Sequence, residues 1–250
     1  NDIEGPQVVA VNLPDGMIDV PVNPYLRILF NESMSDVCAT TDPIYLENLT
    51  TGENIFGNLV FNSDRTVVEF SMPSGQLLET NTEYRIAGSG FCDLANNIID
   101  YTGGSFTTGN NAVADTTRPS VELFTPFSGA NNVPRNAVVE LLISERLDAT
   151  TVTADYFDVH SNTGEGYLNI NVELQSDLRT IRLTPVDGLW PANSSLTVYS
   201  YGPSSGSNRA RDLAGNLMPN NIVTRFSTST VDNDIEGPQV VAVNLPDGMI

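Results

Sequence analysis

The sequence predicts an all-β protein built from antiparallel β-sandwiches, about seven strands each, repeated along the chain and arranged end to end. Three observations carry that expectation. Apolar residues fall in short alternating runs rich in Val, Ile, Leu, Phe and Tyr, divided by Gly, Pro, Asn, Asp and Ser, with no convincing helical period. The eighteen residues NDIEGPQVVAVNLPDGMI stand at 1–18 and again, unchanged, at 233–250. A weaker repeat lies inside the 232 residues that separate the two starts.

Taken in order, the strands expected in the first domain (1–109) are QVVAV (7–11), YLRILF (25–30), IYLENL (44–49), NIFGNLVF (54–61), TVVEF (66–70), EYRIAG (83–88) and SFTT (105–108). The second domain (110–230) repeats the series as SVELF, AVVELLI, YFDVHS, YLNINVEL, TIRLTP, LTVYSYG and TRFSTS. Setting 5–35 above 118–148 brings Pro6 to Pro119, Gly16 to Gly129, Pro21 to Pro134, Asn23 to Asn136 and Glu32 to Glu145 at one constant offset of 113. The match runs on through the TGE turns at 51–53 and 163–165, SDRTVVEF against SDLRTIRL, and DLANN (93–97) against DLAGN (212–216). Boundaries fall in the small polar stretches GNNAVADTT (109–117) and STVDND (229–234). Such short linkers make a rod rather than beads on a flexible string. Residues 231–250 read as the first strand of a further repeat, and the sequence reads as an interior piece of something longer.

Composition narrows the function. Net charge is −20, from 31 acidic and 11 basic residues, and every basic residue is Arg. A field of that sign repels nucleic acid and anionic membranes and favours divalent cations. The absence of Lys removes isopeptide crosslinks and Schiff-base chemistry. No apolar stretch approaches the length of a bilayer span. His160 is the only histidine and sits in an alternating run, so no Ser-His-Asp or Cys-His set is assembled around it and zinc loses its commonest ligand. The protein reads as no enzyme. Trp190 in DGLWPANSS is expected to pack at a strand entry rather than stack on a sugar.

The order of a short strand, P-x-x-G, V-P-x-N, a strand ending in Glu, DLAGN and a closing F-S-T strand resembles the bacterial Ig-like domains of S-layer proteins and large surface adhesins, twice over nearly the whole chain. The resemblance implies tandem spacers or interaction modules at the extracellular face of a prokaryote. In an Ig-type sandwich the entry of the first strand, the loop after the second and the loop before the last share one pole. That pole of the second domain carries Asp115, Glu145, Asp148, Asp212 and Asn216; the first domain offers Asp2, Glu4, Glu32, Asp36, Asp93 and Asn96. Carboxylates and amide oxygens are the hard ligands of Ca²⁺, and Asp and Asn are equally the residues that shape turns without metal. Cys38 and Cys92 fall at the same pole of the first domain, where a disulfide would clip two loops in an oxidising compartment.

The echo at 233–250 has two readings. It marks the edge of a repeat in a continuous chain, or its strand, with Val240, Val241, Val243 and Leu245, takes the place of 7–11 in a neighbouring copy. Either makes neighbouring copies of the repeat, head to tail, the expected partner. The expected role is therefore a structural unit of a surface filament, adhesin stalk or S-layer-like assembly; a module binding a glycan or surface receptor and an accessory domain of a secreted enzyme are the alternatives.

Overall fold

The computed structural model describes residues 3–35, 38, 44–200, 209–219 and 222–230. The proposed assembly strand at 240–245, with Asp2 and Asp36, lies outside them.

The all-β expectation holds. The first half contains β1 (Val8–Val11), β2 (Met17–Val20), β3 (Tyr25–Phe30), β4 (Ile44–Asn48), β5 (Asn54–Phe56), β6 (Asn58–Phe61), β7 (Val67–Ser71), β8 (Glu83–Cys92) and β9 (Ile98–Thr108). They form a four-stranded sheet of order β1-β3-β7-β6 and a five-stranded sheet of order β2-β9-β8-β4-β5. The second half contains β10 (Val121–Thr125), β11 (Ala130–Val133), β12 (Val139–Ile143), β13 (Asp158–Ser161), β14 (Gly166–Tyr167), β15 (Ile170–Leu174), β16 (Thr180–Pro185), β17 (Ser195–Tyr199) and β18 (Ile222–Thr228). These give the orders β10-β12-β16-β15 and β11-β18-β17-β13-β14. The two pairs of sheets are laid out alike.

Alternation does the work inside each pair. Along β3, Leu26, Ile28 and Phe30 are buried while Tyr25, Arg27 and Leu29 are not, so one face meets the core and the other the surroundings. Leu26, Ile28, Ile44, Leu46, Phe70, Tyr84 and Phe106 belong to one apolar cluster. Val139, Leu141, Val159, Ile181, Leu183, Trp190 and Phe226 belong to another.

Among the described residues each half carries nine strands where about seven were expected, because some of the expected strands are divided. The entering strand is divided in both halves: β1 and β10 pair antiparallel in one sheet, whereas β2 and β11 cross to the other sheet and lie parallel to the closing strands, Met17 opposite Phe106 and Ala130 opposite Phe226. The turn between them passes Gly16 and Gly129 at φ +76° and +86°, a region glycine enters without steric cost. NIFGNLVF is not one strand either. It breaks at Gly57, where a Cβ would stand 2.5 Å from the Phe70 ring and the Ser71 carbonyl. The close approach of β7 leaves room only for glycine there.

Candidate metal centre at the domain junction

The linker, the loop after β12 and the turn before β18 meet at one pole of the second sandwich. Asn23, from the V-P-x-N segment of the first, fixes the linker. Its Nδ2 donates to the Asp115 carbonyl at 2.9 Å and its Oδ1 accepts from the Asp115 amide at 2.8 Å. A side-chain amide thus takes both backbone bonds of Asp115, as a neighbouring strand would. Asn216 Nδ2 donates to the same carbonyl at 3.2 Å.

The DLAGN turn presents Asp212. One carboxylate oxygen accepts from the amides of Ala214 and Asn216, both at 2.8 Å, and the other from Asn216 Nδ2 at 2.9 Å. Glu145 follows β12. Carboxylate oxygens of Asp115, Glu145 and Asp212 lie within 4.8 Å of one another. Burial pushes the Glu145 carboxyl up to about 8, helped by the charges of Asp212 and Asp115 and a hydrogen bond to each. Burial also raises Asp212, against its own hydrogen bonds. Asp115 and Glu145 line a cleft of about 130 Å³ shared with Asp19, Pro21, Arg146 and Leu213.

An all-oxygen set of this span fits Ca²⁺. With Ca–O distances of roughly 2.3–2.6 Å, opposite ligands of one ion stand roughly 4.6–5.2 Å apart. Asp115, Glu145 and Asp212 would supply one oxygen each. Asp148 stands apart from them: its Oδ1 accepts from the amide and hydroxyl of Thr150 at 2.8 and 2.6 Å and caps the 3-10 turn Ala149–Thr151. Asn216 Nδ2 orients Asp212 and Asp115.

The first sandwich repeats the turn. Asp93 accepts from the amides of Ala95 and Asn97 at 2.7 and 2.9 Å, and Asn97 Nδ2 reaches both Asp93 and the Glu4 carbonyl. Asn97, not Asn96, therefore holds the place of Asn216. Asn96 sits at φ +66° in the turn itself. Glu32 is half-buried on the same side, in the place of Glu145. Cys38 and Cys92 form a disulfide, their Cα atoms 5.6 Å apart.

Apolar and aromatic contacts close the junction, and sequence reasoning did not name them. Leu213 of DLAGN is 3% exposed and packs into the apolar cluster of the first sandwich; its carbonyl accepts from the Tyr25 amide at 2.9 Å. The Arg211 guanidinium lies over the Tyr25 ring at 4.9 Å. Arg27 Nη1 donates to Thr150 Oγ1 at 2.9 Å, and Arg146 donates to the Asp19 carbonyl. The only advance signal was the offset-113 repeat of V-P-x-N, which marks Asn23 without revealing its partner.

Gly215 lies against Tyr25 of the first sandwich. It has φ +88°, and a Cβ there would meet Tyr25 Cγ at 2.9 Å. Gly215→Ala is expected to destabilise the protein by about 1 kcal/mol or more, from backbone conformation alone, and to push the Tyr25 ring aside. Thermal melting beside small-angle scattering checks both effects.

The repeated sandwich, its divided entering strand and the DLAGN turn now stand together. Residues 115–228 match the bacterial Ig-like domain family. No curated protein matches the chain. Among solved structures, the N-terminal part of the bacterial S-layer protein SbsC is 13% identical over 83% of this chain and 42% of that one, with a TM-score of 0.36. Domains 1–6 of SbsC are 12% identical over 90% of this chain and 26% of that one, with a TM-score of 0.35. An L,D-transpeptidase from Mycobacterium smegmatis is 13% identical over 90% and 99%, with a TM-score of 0.29. The chain spans less than half the length of the SbsC structures. Within the bacterial Ig-like domain, Asp115 is the first residue matched, so the carboxylate that completes the trio belongs to the linker edge of the family unit.

Proposed function

We propose that this chain is an extracellular structural unit of a prokaryotic surface filament, adhesin stalk or S-layer-like assembly, its Ig-like sandwiches joined end to end and stiffened by Ca²⁺ at the junction. The observation that carries the reading is the junction itself. Leu213 is buried in its neighbour's core and Asn23 clamps the linker through both backbone groups of Asp115, which is the construction of a member that transmits load rather than of a hinge. The Cys38–Cys92 disulfide fits an oxidising exterior. Antibody raised against the chain is expected to label intact cells of the source organism along surface fibres or layers; labelling only after lysis would overturn the reading.

The calcium component has its own test. Without metal, Glu145 titrates near 8 in the folded protein, against 4.5 for an ordinary glutamate. The folded state then holds the extra proton, so stability is greatest below about 4.5 and declines as pH rises toward 8. Ca²⁺ displaces that proton and abolishes the decline. Melting in chelator is expected to fall from about pH 5 to about pH 8, with Ca²⁺ restoring it at the higher pH and Glu145→Gln removing the slope. Equal melting with and without Ca²⁺ at both pH values would remove calcium from the proposal.

A further inference from the structure

The junction inside the chain uses one pole from each sandwich, which leaves one pole of each over among the described residues. The pole of the first sandwich that matches the Leu213 side carries the DLANN turn. This turn has the hydrogen-bond pattern of DLAGN, and each is anchored by an isolated bridge, Met34 to Asp93 and Leu147 to Asp212. Leu94 therefore stands as Leu213 does. The difference lies in its surroundings: Leu213 is 3% exposed and Leu94 is 73% exposed.

The pole of the second sandwich that matches the Tyr25 side lies at the other end. The offset of 113 places Pro134 where Pro21 stands, Asn136 where Asn23 stands and Val138 where Tyr25 stands. Val138 is 40% exposed, and Val186 in the neighbouring turn is 54% exposed. In the sequence this domain is followed by Asp234, as the first is followed by Asp115.

We infer that these two poles are mates: the Leu94 pole of the first sandwich docks on the Val138 pole of the second sandwich in another copy of this repeat, with Leu94 seated between Pro134 and Val138. The inference rests on the structural role proposed above and adds to it the faces that meet and their order.

Residue sizes at the two kinds of junction compensate one another. Inside the chain the bulky Tyr25 faces Gly215, where a Cβ would come within 2.9 Å of the ring. At the outer poles the place of Tyr25 is taken by the smaller Val138, and the place of Gly215 by Asn96, which carries a side chain at the same positive φ. Charge follows size. Arg211 covers the Tyr25 ring, whereas its counterpart is Cys92, held in the disulfide and facing a place without a ring. Each large residue thus meets a gap. The like-with-like alternative, a Tyr25 pole against a second Asn96 turn, would place a Cβ in the ring. That contact disfavours consecutive first-type sandwiches and favours alternation of the two types.

The contact is heterologous, so it propagates. Sedimentation velocity of the chain across a concentration series is expected to show open-ended association. Leu94→Asp and Val138→Asp, both at exposed positions and each checked by melting, are each expected to weaken it at least about tenfold. Their mixture is the decisive sample. Leu94→Asp keeps the Val138 pole and Val138→Asp keeps the Leu94 pole, so together they form a single good junction and stop at heterodimers. A chain that stays monomeric at its highest soluble concentration overturns the pairing, as does association that survives either variant, which would point to exchange of strand 233–250. A mixture without heterodimers overturns it too. Failure here leaves surface labelling of cells untouched, so the pairing and the surface role are judged separately.

Discussion

Trp190→Ala is expected to destabilise the second sandwich by about 3–5 kcal/mol. Trp190 is fully buried among Val139, Leu141, Leu183 and Leu196 in the second core. Its indole Nε1 donates to the Ala137 carbonyl at 2.7 Å, and its backbone amide donates to the Arg135 carbonyl at 2.8 Å. Truncation removes the ring, opens a cavity the surrounding strands cannot fully close and strips the Ala137 carbonyl of a donor. Trp190→Phe separates these effects, since it keeps most of the bulk and loses only the hydrogen bond, with about 1 kcal/mol expected for that bond. Chemical denaturation followed by circular dichroism reads both variants. A loss below about 1 kcal/mol for the alanine variant would mean that the core repacks around the gap. An indole wholly inside the core has no face to offer a sugar, so the glycan-binding alternative loses the aromatic platform that would have favoured it.

Some features were legible because they are written locally. Alternation in YLRILF and TVVEF describes the buried face of β3 and β7 residue by residue. The offset of 113 carried turn glycines, Asn23 and two acids of the trio, Asp115 from Asp2 and Glu145 from Glu32, from one half to the other, while the DLANN–DLAGN match carried the third. Other features depend on what the chain meets after folding. ANNV (130–133) has no apolar alternation, and it is a strand because β18 offers it a parallel partner. Leu94 and Leu213 occupy identical local contexts, D-L-A, yet one is exposed and the other is core, and only the facing pole decides which. Asp148 looked like a cation ligand by position. Two residues further on, Thr150 satisfied one of its oxygens and turned it into a cap. Short polar motifs specify a turn; they do not specify what the turn will touch.

Loss of the Cys38–Cys92 disulfide, by Cys38→Ser with Cys92→Ser, is expected to destabilise the first sandwich by about 2–4 kcal/mol and to leave the second unchanged. The bond spans 54 residues, and closing a loop of that length lowers the chain entropy of the unfolded state by an amount worth about 4 kcal/mol at 25 °C. The second sandwich shows what the bond replaces. Thr151 holds the place of Cys38 and Arg211 the place of Cys92, and the two are joined by a hydrogen bond from the Arg211 amide to Thr151 Oγ1 at 3.1 Å, while that hydroxyl donates to the Asp148 carbonyl at 2.8 Å. One pole is therefore clipped covalently and the other by a hydroxyl. Thr151→Val, which deletes the hydroxyl and keeps the shape, is expected to remove only about 1 kcal/mol, from the second sandwich. Differential scanning calorimetry of the two variants distinguishes the clips by which transition moves. The asymmetry has a physical cause at the junction: the hydrogen-bonded pole is buttressed by the first sandwich through Arg27 on Thr150 and Arg211 on Tyr25, whereas the Leu94 pole has no such neighbour among the described residues and holds its loops by a covalent bond.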